Sequence, residues 1–467
     1  MSSMYHLERD GRAGDRAIAS QSIKAGDLVL SSMALSTLLL PAEKGVRCDQ
    51  CLGSPSSNVK LRRCSGCISY WYCGVECQNT AWKGHHKRIC KRLPAYMSKH
   101  HDLLPKAISD AIMVAQLVAE HLTSETASTI SLKSRTDGEL SAEPSLDLSS
   151  PLAALLSLSP AQRSQLHPFV PPIPVSHDLL PSLVQHLFDT IENNHFVVTS
   201  PYLKTIANGV FPLASRSFNH ACLPNACPSY RTENALVYMD VRALRNMKPG
   251  TEICLSYIDP ALPHETRQKV LQHSYGFTCE CERCLMEQKL IPFPSVPAQL
   301  APVEMKLRDF VFPDLLTSGR LTIPLSTGLP LQNHNIDQFP RHFLPLLVHT
   351  YLPALSEAFS SVSHEGRHAE GITKGVTLLA LYFLIYPRNY PLIGLHALEV
   401  AKVAWNSVVT SDLSPTAVAD SCRTVTDLLV ICRSTLQMSM RDMVKDSPSP
   451  YEEVMMLEKI VQKEGDN

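Results

Sequence analysis

Cys48-Asp49-Gln50-Cys51, Cys64-Ser65-Gly66-Cys67, Cys73-Gly74-Val75-Glu76-Cys77 and His86-Lys87-Arg88-Ile89-Cys90 follow one another in a single short stretch. A Cys-x2-Cys step offers two thiolates from one tight turn. A four-residue step on a helix puts two ligands on one face. Zinc takes four thiolate or imidazole ligands in a tetrahedron, so these eight residues make two complete sites. The stretch has too few apolar residues for a core, so metal would supply its folding energy. Four ligand pairs in succession argue against ordinary buried thiols. One choice stays open within the module: His86 lies four residues before Cys90 and His85 five, and His86 is the expected ligand.

Outward from this module the chain is an ordinary globular one. It has 467 residues, 44% hydrophobic and 19% charged, with a formal net charge of −1. Near neutrality excludes a generally polycationic nucleic-acid binder. A local run, Lys83, Lys87, Arg88, Lys91 and Arg92, reads first as a solvated helix face. Its alternative is a weak surface for nucleic acid or an acidic partner. No helix shows a basic stripe at base-reading spacing, which counts against a DNA-binding zinc protein. The first residues show no apolar run or small-residue cleavage site, so no secretory signal is expected. The apolar run Val376 to Tyr386 is about half of the ~20 residues a transmembrane helix needs. Fifteen cysteines, mostly in two clusters, read as metal ligands in a reducing compartment. The expectation is a soluble, intracellular protein.

Residues 1–47 read as β-rich. Ile18–Ile23 and Leu28–Leu30 flank the turn Lys24-Ala25-Gly26-Asp27, a hairpin signal. Residues 105–122 carry Ile108, Ile112, Ala115, Val118, Ala119 and Leu122 at helical steps, an amphipathic helix. From 123 to about 180 Ser, Thr and Pro dominate, the composition of a largely disordered insertion, with one short helix at Leu152–Leu158. Residues 183–192 read as helix. Phe196–Val198, Ala235–Val241 and Glu252–Tyr257 read as strands, and Lys248-Pro249-Gly250-Thr251 is a second turn of the Lys24 kind. Beyond about 291 the chain turns helical. Val376–Tyr386 and Leu392–Val408 suggest a helical hairpin, and Ser414-Pro415 an N-cap followed by proline at the first helical position.

A second cysteine cluster, Cys279-x-Cys281-x2-Cys284, is one ligand short of a closed site. Cys222 and Cys227 are the nearest candidates in sequence for the fourth.

The finger, with Trp82 and its His86-Lys87-x-x-Cys90 close, resembles a MYND zinc finger. Asn219-His220-Ala221-Cys222-Leu223-Pro224-Asn225 resembles the NHSCxPN motif of SET-domain lysine methyltransferases. Glu252-Ile253-Cys254-Leu255-Ser256-Tyr257 resembles the strand that follows it, and Tyr275-Gly276-Phe277-Thr278-Cys279 through Cys284 the post-SET segment. Gly11 to Ala17 with Ile23 to Asp27 resembles the opening strand and hairpin. In this order the motifs identify the chain as a member of the SMYD family, of fungal type. The resemblance implies an α+β multidomain protein: a split, β-rich SET fold with an inserted MYND finger and a C-terminal α-helical, TPR-like region. Its divisions are 1–47 and 181–275 for the SET parts, 48–90 for the finger, and 91–122 for a helical SET insert. The remainder is 123–180 for the insertion, 276–290 for the post-SET zinc segment and 291–467 for the helical domain.

The resemblance further implies interleaved zinc sites, Cys48, Cys51, Cys73 and Cys77 on one ion and Cys64, Cys67, His86 and Cys90 on the other. It puts Cys222, Cys279, Cys281 and Cys284 on a third. It implies S-adenosyl-L-methionine as cofactor, held by Asn219 and His220 and lined by Gly11, Arg12 and Ala13. Asn194 would contact the cofactor and Phe277 would pack on its adenine. Tyr257 is the implied catalytic residue, its hydroxyl at the transfer point beside the cofactor. Tyr275 would wall the lysine channel. Arg12 and Ala13 depart from the usual glycine-x-glycine turn, and Ala221 replaces a serine. The implied function is protein-lysine N-methylation of histone or non-histone proteins in nucleus and cytoplasm. The implied state is a monomer that binds proline-rich or other peptides through the finger, with no membrane partner and at most weak nucleic-acid binding. The altered opening turn motivates the alternative, a non-catalytic SET/MYND scaffold that recruits partner proteins.

Twelve ligands at four each predict about three zinc ions per chain. Elemental analysis of folded protein checks this, and two ions or fewer would remove the site at Cys222 to Cys284.

Overall fold

The computed structural model describes residues 3–10, 14–55, 60–102, 105–121, 151–158, 171–173, 181–290, 299–322, 340–347, 350–412, 414–439 and 449–465. Twelve strands lie among these residues. β1 (Tyr5–Asp10) and β2 (Gly14–Ala19) form an antiparallel pair, with Tyr5 opposite Ala19. β3 (Leu28–Met33) joins the edge of β11 (Leu236–Ala243), which pairs on its other side with β10 (Ala226–Glu233). β4 (Ser36–Leu39), β8 (Thr205–Val210) and β7 (His195–Thr199) make a third antiparallel sheet. β9 (Asn219–His220) and β12 (Cys254–Leu255) lie parallel. β5 (Arg62–Arg63) and β6 (Trp71–Tyr72) are a short ribbon in the finger. The β core between the sheets holds Val29, Leu39, Val198, Ile206, Phe211, Phe218, Tyr230, Met239, Val241 and Ile253.

The hairpin expected across Lys24–Asp27 does not form. The turn exists, closed by Asp27 N–H to Lys24 O at 3.0 Å, with Gly26 at φ +89°. Its flanks, however, run to different sheets. Ile23 pairs with Met247 through bonds of 3.0 and 2.8 Å, and Gly26 N–H donates to Ala243 O. The second turn, with Gly250 at φ +83°, sends Gly250 N–H to Ala19 O. The two look-alike turns therefore flank one strand exchange between distant segments, which a local signal cannot reveal. Both need a residue at positive φ, which glycine takes without a Cβ clash. The strand expected over Glu252–Tyr257 shrinks to Cys254–Leu255, with Glu252 only bridged to Ile18.

The helix Pro105–His121 was expected to bury one stripe. Instead Ala111 and every residue from Met113 to Ala119 are buried. It is covered by the finger on one side and by β4 and the helix Pro181–Asn194 on others, so its middle, from Met113 to Ala119, leaves no face to water, while Lys106 and Glu120 near its ends stay exposed. Gln116, the polar member of that run, is satisfied there. Its amide donates to Tyr70 Oη at 2.9 Å and accepts from Ser36 Oγ at 2.8 Å. Within the expected insertion, Pro151–Leu156 is helical. Its Leu152, Ala154 and Leu155 are buried among Leu183, Leu187 and Val210. The rest of 123–180, apart from 157–158 and 171–173, lies outside the described residues.

The C-terminal region is a stack of helices: Ala301–Val311, Tyr351–His364, His368–Ile385, Pro391–Thr410, Pro415–Ser439 and Pro450–Gly465. The expected hairpin is His368–Ile385 with Pro391–Thr410. Ser414 Oγ accepts from Ala417 N–H, capping the next helix. Pro391–Thr410 is long and apolar enough to cross a membrane by composition alone, but 61% of it is buried and it packs against helices on both sides. Those helices approach closely. A Cβ on Gly375 would lie 2.7 Å from Val400 Cγ2 and 2.8 Å from Phe359 Cε2.

Gly375→Ala sets helix propensity, a gain of roughly 0.5–1 kcal/mol, against overpacking at a cost of about 1–3 kcal/mol. The clash is expected to win. Denaturant unfolding should show a net loss of stability, and a gain would mean that Phe359 moves aside freely.

Candidate active site and metal centres

Three groups of four ligand atoms gather in the structure, each with all atoms within 4.8 Å of one another: Cys48, Cys51, Cys73 and Cys77; Cys64, Cys67, His86 and Cys90; and Cys222, Cys279, Cys281 and Cys284. All these cysteines are free thiols. Their spacing tests the metal. Zinc–sulfur bonds of about 2.3 Å in a tetrahedron put sulfurs ~3.8 Å apart, whereas a disulfide needs about 2.05 Å. Cys51 and Cys73 lie 3.7 Å apart, Cys64 and Cys90 3.8 Å, and Cys222 and Cys279 3.9 Å. Among the described residues the chain thus forms three zinc-binding sites, and the two in the finger interleave along the sequence.

His86 is the imidazole of the second group. Its Nε2 lies 3.4 Å from Cys64 Sγ and 3.6 Å from Cys67 Sγ. Burial pushes its pKa down to about 4, which keeps the ring neutral and ready to ligate. Tyr70, Tyr72 and Trp82 surround the ring, with Tyr70 at 4.5 Å. His85 turns the other way and pairs with Glu120 at 3.2 Å. Of the two candidates for the third group's fourth ligand, Cys222 is in it. Cys227 sits on β10, buried and apart, with burial raising its pKa.

The third group borders a site built from crossing segments, with Tyr275 and Phe277 packed against it. β9 and β12 lie side by side, with Asn219 opposite Cys254 and His220 opposite Leu255. Asn225 locks them. Its side chain donates to Glu252 O and accepts from Cys254 N–H, both at 2.8 Å. An edge-to-edge amide bridge of this kind substitutes for the ladder that two-residue strands cannot extend. Sequence reading gave Asn225 no role of its own; its place as the last residue of the quoted motif was the available signal.

Asn219 Nδ2 donates to Glu252 Oε1 at 3.1 Å, beside the pairs Arg16–Glu252 and Arg216–Asp15. His220 Nδ1 accepts from Tyr257 N–H at 3.0 Å, so the ring's proton sits on Nε2, which faces Cys222 Sγ at 3.2 Å. A donor aimed at a metal-bound thiolate orients the ligand and damps its reactivity. His220 thus touches both Tyr257 and the zinc ligand Cys222. The Tyr257 hydroxyl donates to Phe218 O at 2.8 Å, and burial holds its pKa above the usual phenol range, so it stays protonated.

The wall opposite comes from the helix His264–Tyr275. Gly276 ends it in the left-handed region at φ +75°. That turn lets Tyr275 and Phe277 both face the same ring cluster. Tyr275 lies 5.0 Å from Tyr257, and Phe277 lies 6.2 Å from His220. Gln268 holds the following segment at both ends of its amide, donating to Cys279 O and accepting from Cys279 N–H. Asn194 ends the helix Pro181–Asn194. Its amide donates to Thr190 O at 2.8 Å, and its carbonyl accepts from Ser215 Oγ. Gly11, Arg12 and Ala13 lie outside the described residues.

The two histidines separate cleanly by test. His86→Ala should lose one of three zinc ions by elemental analysis. His85→Ala should keep all three and cost about 1 kcal/mol or less, the worth of a partly exposed pair.

Comparison with known proteins fits this geometry. The family model described as "MYND finger" matches residues 44–90. Human N-lysine methyltransferase SMYD2 is 30% identical over 276 residues, 58% of this chain and 58% of that protein. Human histone-lysine N-methyltransferase SMYD3 is 24% identical over 398 residues, 84% of this chain and 86% of that protein. Histone-lysine N-methyltransferase ASHR1 of Arabidopsis thaliana is 29% identical over 279 residues, 60% of this chain and 54% of that protein. The chain thus matches somewhat over half the length of SMYD2 and ASHR1, and most of SMYD3. A solved structure described as the SET domain of LSMT bound to lysine and AdoHcy aligns with 99% of this chain and 88% of its own, at TM-score 0.25 and 9% identity, too distant to carry weight. The fold is α+β, with a MYND finger at residues 44–90 and a helical C-terminal region, and the chain is similar to the N-lysine methyltransferase SMYD2 over somewhat more than half of that protein and to SMYD3 over most of it.

Proposed function

We propose that this protein transfers a methyl group from S-adenosyl-L-methionine to the side-chain amine of protein lysines. The observation that carries the reading is the Tyr257 hydroxyl, bonded to the Phe218 carbonyl, with His220 and Tyr275 in ring contact with Tyr257 and Phe277 against those two rings. The donor set suits a sulfonium and an amine. π-faces and carbonyl oxygens attract cationic groups, and the nearby guanidiniums of Arg16 and Arg216 are engaged with Glu252 and Asp15.

Asn219 and His220 would hold the cofactor, with Asn194 at its edge and Phe277 against its adenine. When bound, the cofactor supplies a methyl group activated by the positive sulfur. The residues do the rest by position and electrostatics. The Tyr257 proton is committed to Phe218 O, which leaves its oxygen lone pairs to accept from the incoming amine and fix its direction. Tyr275 and Tyr257, in ring contact, make an apolar wall. An amine held against it is partly stripped of water, which favours the neutral form that must attack. The amine's proton goes to solvent, and no group in the pocket has to carry it.

The protein substrate, the use of the finger to bind proline-rich or other peptides, action as a monomer, and residence in nucleus and cytoplasm belong to the same proposal. Free, clustered thiols suit a reducing compartment, and imaging of tagged protein checks the location.

The test incubates full-length protein with radiolabelled S-adenosyl-L-methionine and lysine-rich proteins, wild type beside Tyr257→Phe. Wild type should label protein and bind cofactor by calorimetry. The phenylalanine variant should keep three zinc ions and lose roughly 100-fold in rate, the scale of a misplaced reactant. No labelling and no cofactor binding by wild type would leave the scaffold reading in its place.

A further inference from the structure

Behind the third zinc group lies a charged cluster that the chemistry above does not use. Arg267, Arg283 and Glu287 are all buried, with side chains at most 4% exposed. One carboxylate serves both guanidiniums: Glu287 accepts from Arg283 Nε at 2.9 Å and from Arg267 Nη2. A buried surplus of one positive charge is costly unless an anion lies close. The anion in reach is the thiolate group. Arg267 Nη2 lies 3.9 Å from Cys284 Sγ. Four thiolates around one zinc ion carry a net charge of −2, so the loaded site more than offsets the surplus, and the surplus in turn shields part of the site's own negative charge.

Arg283 reaches further. Its Nη1 donates to Cys222 O at 3.3 Å and to Ile385 O at 3.1 Å. Ile385 is the last residue of the helix His368–Ile385. Carbonyls at a helix C-terminus lack intrahelical partners, and that end favours a cation. The residues just beyond make two more ties around the pocket. Tyr386 Oη donates to Asp259 Oδ1, two residues past Tyr257, and Asn389 Nδ2 donates to Leu244 O.

We infer that Arg283, with Arg267 and Glu287, is a positioning residue that joins the third zinc site to the C-terminal helices in one buried ionic unit. Metal loading and docking of the His368–Ile385 helix end then stabilise each other, because coupling between two sites is reciprocal. The wall formed by Tyr275 and Phe277 is held from both sides. The inference rests on the proposed methyl transfer only in calling that wall part of a substrate channel.

The experiment uses full-length, zinc-loaded protein and needs neither cofactor nor substrate, so its failure is distinct from failure of the functional reading. Zinc release to a colorimetric chelator is timed, and hydrogen exchange is followed in peptides covering 277–290 and 383–390. Arg283→Met should release one zinc ion roughly tenfold faster, the low end for a lost outer-shell partner, and leave the other two unchanged. Exchange should rise in both peptides, and Arg283→Lys should restore part of each effect. Glu287→Gln, nearly isosteric, should move both readings the same way and replaces Arg283→Met if that variant does not fold. Unchanged release from the folded variants, or faster exchange confined to 277–290, overturns the inference.

Discussion

Metal ligation is the constraint on which this structure turns. The finger lacks the apolar volume to fold by burial, and the segment from Cys279 to Cys284 has almost none. Sulfur spacings of 3.5 to 3.9 Å between ligands put the stabilising bonds where a core would otherwise stand. The finger then packs its few apolar residues, Tyr70, Tyr72 and Ile89, against Val114, Leu117 and Val118 of the Pro105–His121 helix. The third site has a different task. It fastens Cys222, inside the Asn219–Asn225 motif, to a segment more than fifty residues later, with Tyr275 and Phe277 packed against it.

The pocket shows how short strands can still be exact. β9 and β12 are two residues each, too short for a cooperative ladder. Asn225, 4% exposed, supplies the missing bonds from its side chain. His220 spends one ring nitrogen on the Tyr257 backbone and the other on Cys222. Tyr257 and the metal ligand therefore cannot shift independently. Side chains fixed by several bonds to separate segments are what catalysis by positioning requires.

The sequence was readable where chemistry is local. Ligand spacing announced the finger, because knuckles and helical turns are set by adjacent residues. The motif around Asn219 and the cysteines at 279 to 284 marked the pocket. Helical periodicity found the C-terminal helical hairpin, and the Ser-Pro pair the cap at 414. The turn signal at Lys24 suggested a hairpin that does not form, since a turn does not say which strand its flanks will join. Periodicity gave the Pro105–His121 helix one apolar face, because burial on further faces depends on partners from elsewhere in the chain.

By itself, then, the sequence determined the ligand pairs of the finger and the three clustered cysteines of the third group, all of which are fixed by residue type and short spacing. Only the tertiary structure decided which ligands share an ion by distance, that His86 faces the metal while His85 faces Glu120, and that Cys222 rather than Cys227 completes the third group. It alone brought Arg283 between the Cys222 carbonyl and the end of a helix about a hundred residues away. The physical reason is common to all of these. Long-range pairing of buried charges and carbonyls depends on how packed elements meet in space, which no local spacing encodes.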